Sequence, residues 1–94
     1  MLTLYDSSGN AIATNAGWGN APVRGNSTVA AGVQAATTAI MNSVYAGTIA
    51  AGSGDCAMVV TLPTGSSGVA GYTAKVTNAN STSGLALVEV YNLP

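Results

Sequence analysis

The chain opens on a strict alternation, Leu2 and Leu4 against Thr3 and Tyr5, which is the two-residue period of a strand buried on one face. Ser7, Ser8, Gly9 and Asn10 supply turn chemistry before a second apolar run, Ala11 to Thr14. A β-hairpin joining Leu2–Asp6 to Ala11–Thr14 is expected. The stretch that follows, NAGWGNAPVRGN from Asn15 to Asn26, is rich in Gly and Asn, and predicts an irregular surface loop.

From Ser27 the period changes. Val29, Val33, Ala36, Ile40 and Val44 recur at helical spacing while Gln34, Thr37, Thr38 and Asn42 fall off that stripe. This predicts one amphipathic helix over about residues 28–46, with Ser27 as N-cap and Gly47 ending it in the left-handed region. Gly32 and the Thr37–Thr38 pair weaken it, through backbone entropy and restricted χ1 freedom.

The second half alternates again. Cys56, Met58, Val60 and Leu62 share one face of an expected strand that Pro63 breaks. Tyr72, Ala74 and Val76 face inward against Thr73, Lys75 and Thr77 in the next. A last strand, Leu85 to Tyr91, is apolar on both faces and is expected to lie centrally, covered above and below. Glu89 interrupts one of those faces, which places it at the sheet's rim or opposite Lys75 or Arg24, since a buried unpaired carboxylate costs several kcal/mol. No internal repeat or heptad emerges. The fold class is therefore mainly β: one domain, residues 1–94, a small antiparallel sandwich or sheet of about five strands with one helix.

Charge changes the picture more than any motif. Only five of 94 residues are charged, histidine is absent, the net charge is −1, and 48% of the chain is hydrophobic. A compact monomer of 9.1 kDa exposes roughly 4,900 Å², so each charge serves roughly 1,000 Å², whereas about a quarter of residues are usually charged. Either Ser, Thr, Asn and Gly solvate the exterior, or neighbouring copies cover much of it. Arg24 and Lys75 form no basic patch, which argues against nucleic acid and anionic lipid as partners. Gly, Ser, Thr and Asn interrupt every apolar run, so no spanning helix is expected, and MLTLYDSSGN shows no secretion signal.

Candidate chemistry is sparse. Asp6 begins DSSGN, but a calcium loop wants several oxygen ligands, usually two or more of them carboxylates, and only Asp6 is local; it reads as a turn cap, as does Asp55 after GSG. Cys56 alone forms neither an internal disulfide nor a metal site and reads as a small buried hydrophobe, with an intermolecular bridge as the alternative. Without histidine, nucleophilic catalysis would need a carboxylate base, and nothing in the spacing of Asp6 and Asp55 makes them converge, so no enzyme and no cofactor is expected. Trp18, between two glycines, either stacks on a sugar face, anchors an interface, or folds back over the sheet's end. Asn26-Ser27-Thr28 and Asn80-Ser81-Thr82 match the N-glycosylation pattern.

The strings LTLYDSSGNAIATN, AGSGDCAMVVTLP and GYTAKVTNANSTSGLALVEVYNLP resemble a β-sandwich module of secreted bacterial proteins, akin to the pre-peptidase C-terminal type domain. The resemblance implies a first hairpin ending near a Trp-containing loop, two consecutive later strands, an extracellular accessory or structural role, and no catalytic residue. Family members carry strands upstream of the segment matching Leu2–Asp6. Their lack here implies an uncovered sheet edge, which a second copy could fill by strand addition. The expected function is thus a non-enzymatic subunit of an extracellular homopolymer, a filament or pilus-like fibre. Its candidate interface residues are Leu2, Leu4, Tyr5, Trp18, Leu85, Leu87 and Tyr91. The alternatives are a monomeric carbohydrate-binding module using Trp18, and a capsid or surface-layer component.

Overall fold

The computed structural model describes residues 1–29, 31–44, 46, 54–63, 71–77 and 87–90. Among them the chain is mainly β, with six strands in two antiparallel sheets and one short helix. The alternating opening segment is β1 (Leu2–Tyr5), and β2 (Ala11–Asn15) returns beside it. The turn between them closes through Asp6 N–H to Asn10 O at 2.9 Å and Gly9 N–H to Asp6 O at 3.1 Å, with Gly9 at φ +84°, where a side chain would be strained. Two-residue β3 (Val23–Arg24) lies on the far side of β2, inside the stretch expected to be irregular. With β6 (Thr73–Val76) the first sheet runs β3-β2-β1-β6, and β4 (Gly32–Ala35) pairs with β5 (Met58–Thr61) in the second.

A bulge breaks the hairpin register. Leu4 pairs with Ala13 but Tyr5 pairs with Ala11, which leaves Ile12 as the extra residue of β2. Its carbonyl and that of Ala11 are taken instead by the chain beyond β3, from Gly25 N–H at 3.0 Å and Ser27 N–H at 2.8 Å. That approach is close enough to require glycine: a Cβ on residue 25 would sit 2.3 Å from the Ala11 carbonyl oxygen. Ile12, Ala13 and Ala31 form the buried centre of the core, and Leu4, Val33, Met58, Val60, Leu62 and Tyr72 pack against it. Side chains from both sheets thus meet in one cluster. Met58, Val60 and Leu62 do so from the face that alternation assigned them.

The helix is far shorter than its periodicity suggests. It is α1 (Thr38–Ser43), capped by Thr37, whose hydroxyl accepts from Ile40 N–H at 3.2 Å, and it buries Met41. Residues 32–35 are strand β4, with Val33 and Ala35 half-buried and Gly32 and Gln34 exposed. Val33 and Ala35 satisfy a two-residue period as well as Val29 and Val33 satisfy a helical one, and Gly32 with β-branched Val33 tilts the balance to strand. Ser27 is not the N-cap. Gly47 lies outside the described residues.

Two further expectations are corrected. Among the described residues β6 is an edge strand, exposed along its whole length, so Ala74 and Val76 are not buried, and neighbouring Tyr72 packs against the core instead. Residues 87–90 form no strand and are not covered: Leu87 is 84% exposed, Val88 50% and Val90 86%. Alternation reports which residues share a face, not whether a second layer exists to cover it.

Candidate self-association surface

Two buried polar side chains tie the first hairpin to the rest of the chain. The Asp6 carboxylate accepts from Ser8 and Asn10 N–H, both at 2.9 Å on Oδ1, and from the Ser27 hydroxyl at 2.6 Å on Oδ2. Ser27 Oγ accepts in turn from Val29 N–H at 3.1 Å. Asp6 is therefore the turn cap the sequence suggests, and also a tie between the first hairpin and the approach to β4. The hydroxyl of Ser27 and then the amide of Asn10 hold its pKa below the ordinary 3.8, against the opposing pull of burial.

Asn15, 2% exposed, is the second tie. Its Nδ2 donates to Asn20 O at 3.2 Å and its Oδ1 accepts from Ala57 N–H at 3.0 Å, linking the end of β2 and the following loop to the start of β5. Trp18 N–H donates to Asp55 O at 2.9 Å in the same seam. Sequence reading missed Asn15, because an Asn in a Gly- and Asn-rich stretch looks like any turn residue and its Ala57 partner is remote in sequence.

The candidate interface residues divide sharply. β1 is paired on both sides, by β2 and by β6, so Leu2, Leu4 and Tyr5 sit on an interior strand, half-buried, with no main-chain edge to offer another subunit. Trp18 is half-buried in its clamped loop. Leu87 is exposed, while Leu85 and Tyr91 lie outside the described residues. Asn26 is exposed and Asn80 lies outside the described residues. Cys56 is half-buried rather than buried, its Sγ 3.9 Å from Gly54 O.

The exposed large apolar side chains include Val76 on β6, Leu87, Val88 and Val90, and, on the opposite edge strand, Val23 at 67%. Beside β6 lies an open cleft of about 500 Å³ lined by Tyr5, Asp6, Ser7, Gly9, Gly71, Tyr72 and Thr73. Tyr72 is oriented there by its hydroxyl, which donates to Pro63 O at 2.7 Å. Among the described residues no three of His, Cys, Asp and Glu gather as metal ligands, and no helix is long and apolar enough to cross a membrane. No family model matches the chain, and neither a curated protein nor a solved structure is similar to it.

Proposed function

We propose that this chain is a non-enzymatic structural subunit that self-associates through β-strand contacts into an extracellular homopolymer, a filament or pilus-like fibre. The observation that carries the reading is that, among the described residues, β6 is an edge strand exposed along its whole length and Leu87, Val88 and Val90 are exposed as well, in a chain that has five charges to keep such surfaces in water. Copies of the same chain are the partner that supplies both surfaces at once. The extracellular placement rests on the likeness of its strings to the secreted β-sandwich module.

Light scattering across micromolar concentrations, with negative-stain imaging of the same samples, tests it. Species far above 9.1 kDa that image as fibres are expected; a 9.1 kDa species alone would overturn the reading. Closed shells or flat arrays would favour the capsid or surface-layer alternative. A monomeric carbohydrate-binding module is the second reading, favoured by the Tyr5- and Tyr72-lined cleft, since aromatic faces stack on sugar C–H faces. It predicts glycan retention by a monomer, lost in Trp18→Ala or Tyr72→Ala.

A further inference from the structure

We infer that Asn26 is an acceptor for an N-linked glycan in the folded chain, placed where β3 ends, at the opposite side of the first sheet from β6. The inference rests on the extracellular placement proposed above and adds a covalent modification to it.

The acceptor pattern is an asparagine followed two residues later by a hydroxyl, with no proline between them. Asn26-Ser27-Thr28 fits it, whereas Asn10, Asn15, Asn20 and Asn42 lack the hydroxyl. Asn80 fits too and lies outside the described residues. A three-residue pattern arises readily in a chain this rich in Ser, Thr and Asn, so the geometry has to carry the inference.

That geometry holds the tripeptide with its two required groups outward. Gly25 N–H donates to Ile12 O at 3.0 Å and Ser27 N–H donates to Ala11 O at 2.8 Å, so the main chain on either side of Asn26 is fastened to the bulge of β2. The side chain of the middle residue is fastened as well. Its hydroxyl donates to Asp6 Oδ2 at 2.6 Å and accepts from Val29 N–H at 3.1 Å. Between these ties Asn26 and Thr28 are exposed while Ser27 is half-buried. Among the described residues nothing engages the Asn26 amide, so attachment there displaces no contact. The pattern reads the first and third residues and is indifferent to the second, and the fold exposes and buries them accordingly.

In the transfer, Asn26 Nδ2 forms a bond to C1 of the first sugar of a lipid-linked oligosaccharide diphosphate. The C1–O bond to the diphosphate breaks, the lipid diphosphate leaves with the electron pair, and one Nδ2 proton goes to solvent. Nothing is oxidised or reduced. A glycan is bulky and solubilising, and at this position it would add hydration without charge near Val23, which is 67% exposed, on the edge strand opposite β6 in the order β3-β2-β1-β6.

The test offers the full chain, purified unmodified and folded, to a solubilised oligosaccharyltransferase with its lipid-linked donor, beside a peptide of residues 21–29 as the unfolded acceptor. Intact mass and peptide mapping should show glycan on Asn26 of the folded chain, removable by peptide N-glycosidase with conversion of Asn26 to aspartate. Asn26→Gln and Thr28→Ala, each checked for an unchanged far-ultraviolet spectrum, should lose it. Thr28→Ser should keep it, and Asn80→Gln should leave it unchanged. A peptide that is modified while the folded chain is not, or a peptide that is itself refused, would overturn the inference, and neither result touches the self-associating reading. The extracellular placement fails separately, if fractionation of the source cells finds the chain only in the cytoplasm.

Discussion

Asp6 shows how one side chain can carry both a turn and a tertiary contact. Three donors converge on its charged form, so its folded-state pKa lies below the unfolded value near 3.8. A depressed carboxylate contributes stability that is whole above the unfolded pKa and drains away as pH falls through the folded one. The urea midpoint should therefore drop as the pH falls through the unfolded value of 3.8 and below it, and Asp6→Asn should flatten that fall while lowering the midpoint at neutral pH. Asn15 differs in kind, because it is neutral and uses both ends of its amide. Asn15→Ala orphans the half-buried Ala57 N–H, while the carbonyl of exposed Asn20 can turn to water; the loss of about 1–3 kcal/mol is measurable as a lower urea midpoint. Asn15→Asp keeps the acceptor for Ala57 but sets a carboxylate against the Asn20 carbonyl, so it should rescue little. Gly25→Ala tests geometry alone: its Cβ meets a main-chain oxygen that cannot rotate away, and overpacking of that kind costs about 1–3 kcal/mol.

At the scale of elements, alternation and turn chemistry made the first hairpin legible, and the same alternation found β5 and its core face. The bulge at Ile12 was not legible, because it depends on where Gly25 and Ser27 dock, and neither is local to β2. Segment 28–46 misled because valines spaced by four suit a helix while Val33 and Ala35 suit a strand, and only the pairing with β5 decides between them. A helix of six residues has little intrinsic stability, so α1 depends on its cap and on buried Met41. Thr37→Ala should cost about 1 kcal/mol and speed amide exchange at Ile40 while leaving Asn10 protected. Ser27→Ala, the substitution that a helix from residue 28 would make equivalent, should instead loosen Asn10 and Val29 and leave Ile40 alone. Exchange measured residue by residue separates the two caps. Of the candidate interface, Leu87 is exposed where periodicity placed its segment under cover, Leu2, Leu4 and Tyr5 lie on a strand paired on both sides, and Leu85 and Tyr91 lie outside the described residues; exposure depends on whether another layer covers a segment, and sequence periodicity is silent on layers.

For the whole molecule, the physical question is what drives copies together when charge is nearly absent. With two cations and three acids in the chain, long-range steering between copies is weak. Ion pairs at a partly wet edge contribute up to about 1 kcal/mol, enough to choose a register but too little to hold a polymer. The remainder must come from main-chain hydrogen bonds and from removing Val76, Val88 and Val90 from water. Apolar burial weakens on cooling and strengthens with excluded salts such as sulfate. Assembly should accordingly retreat as the temperature falls from about 25 °C to about 4 °C, advance in ammonium sulfate, and shift only slightly in sodium chloride, since few charges are present to be screened. Sedimentation velocity at fixed protein concentration reads all three. Fibres that dissolve in moderate sodium chloride and are indifferent to cooling would mean that ionic contacts hold the subunits, and the apolar edge would then have to be abandoned as the source of cohesion.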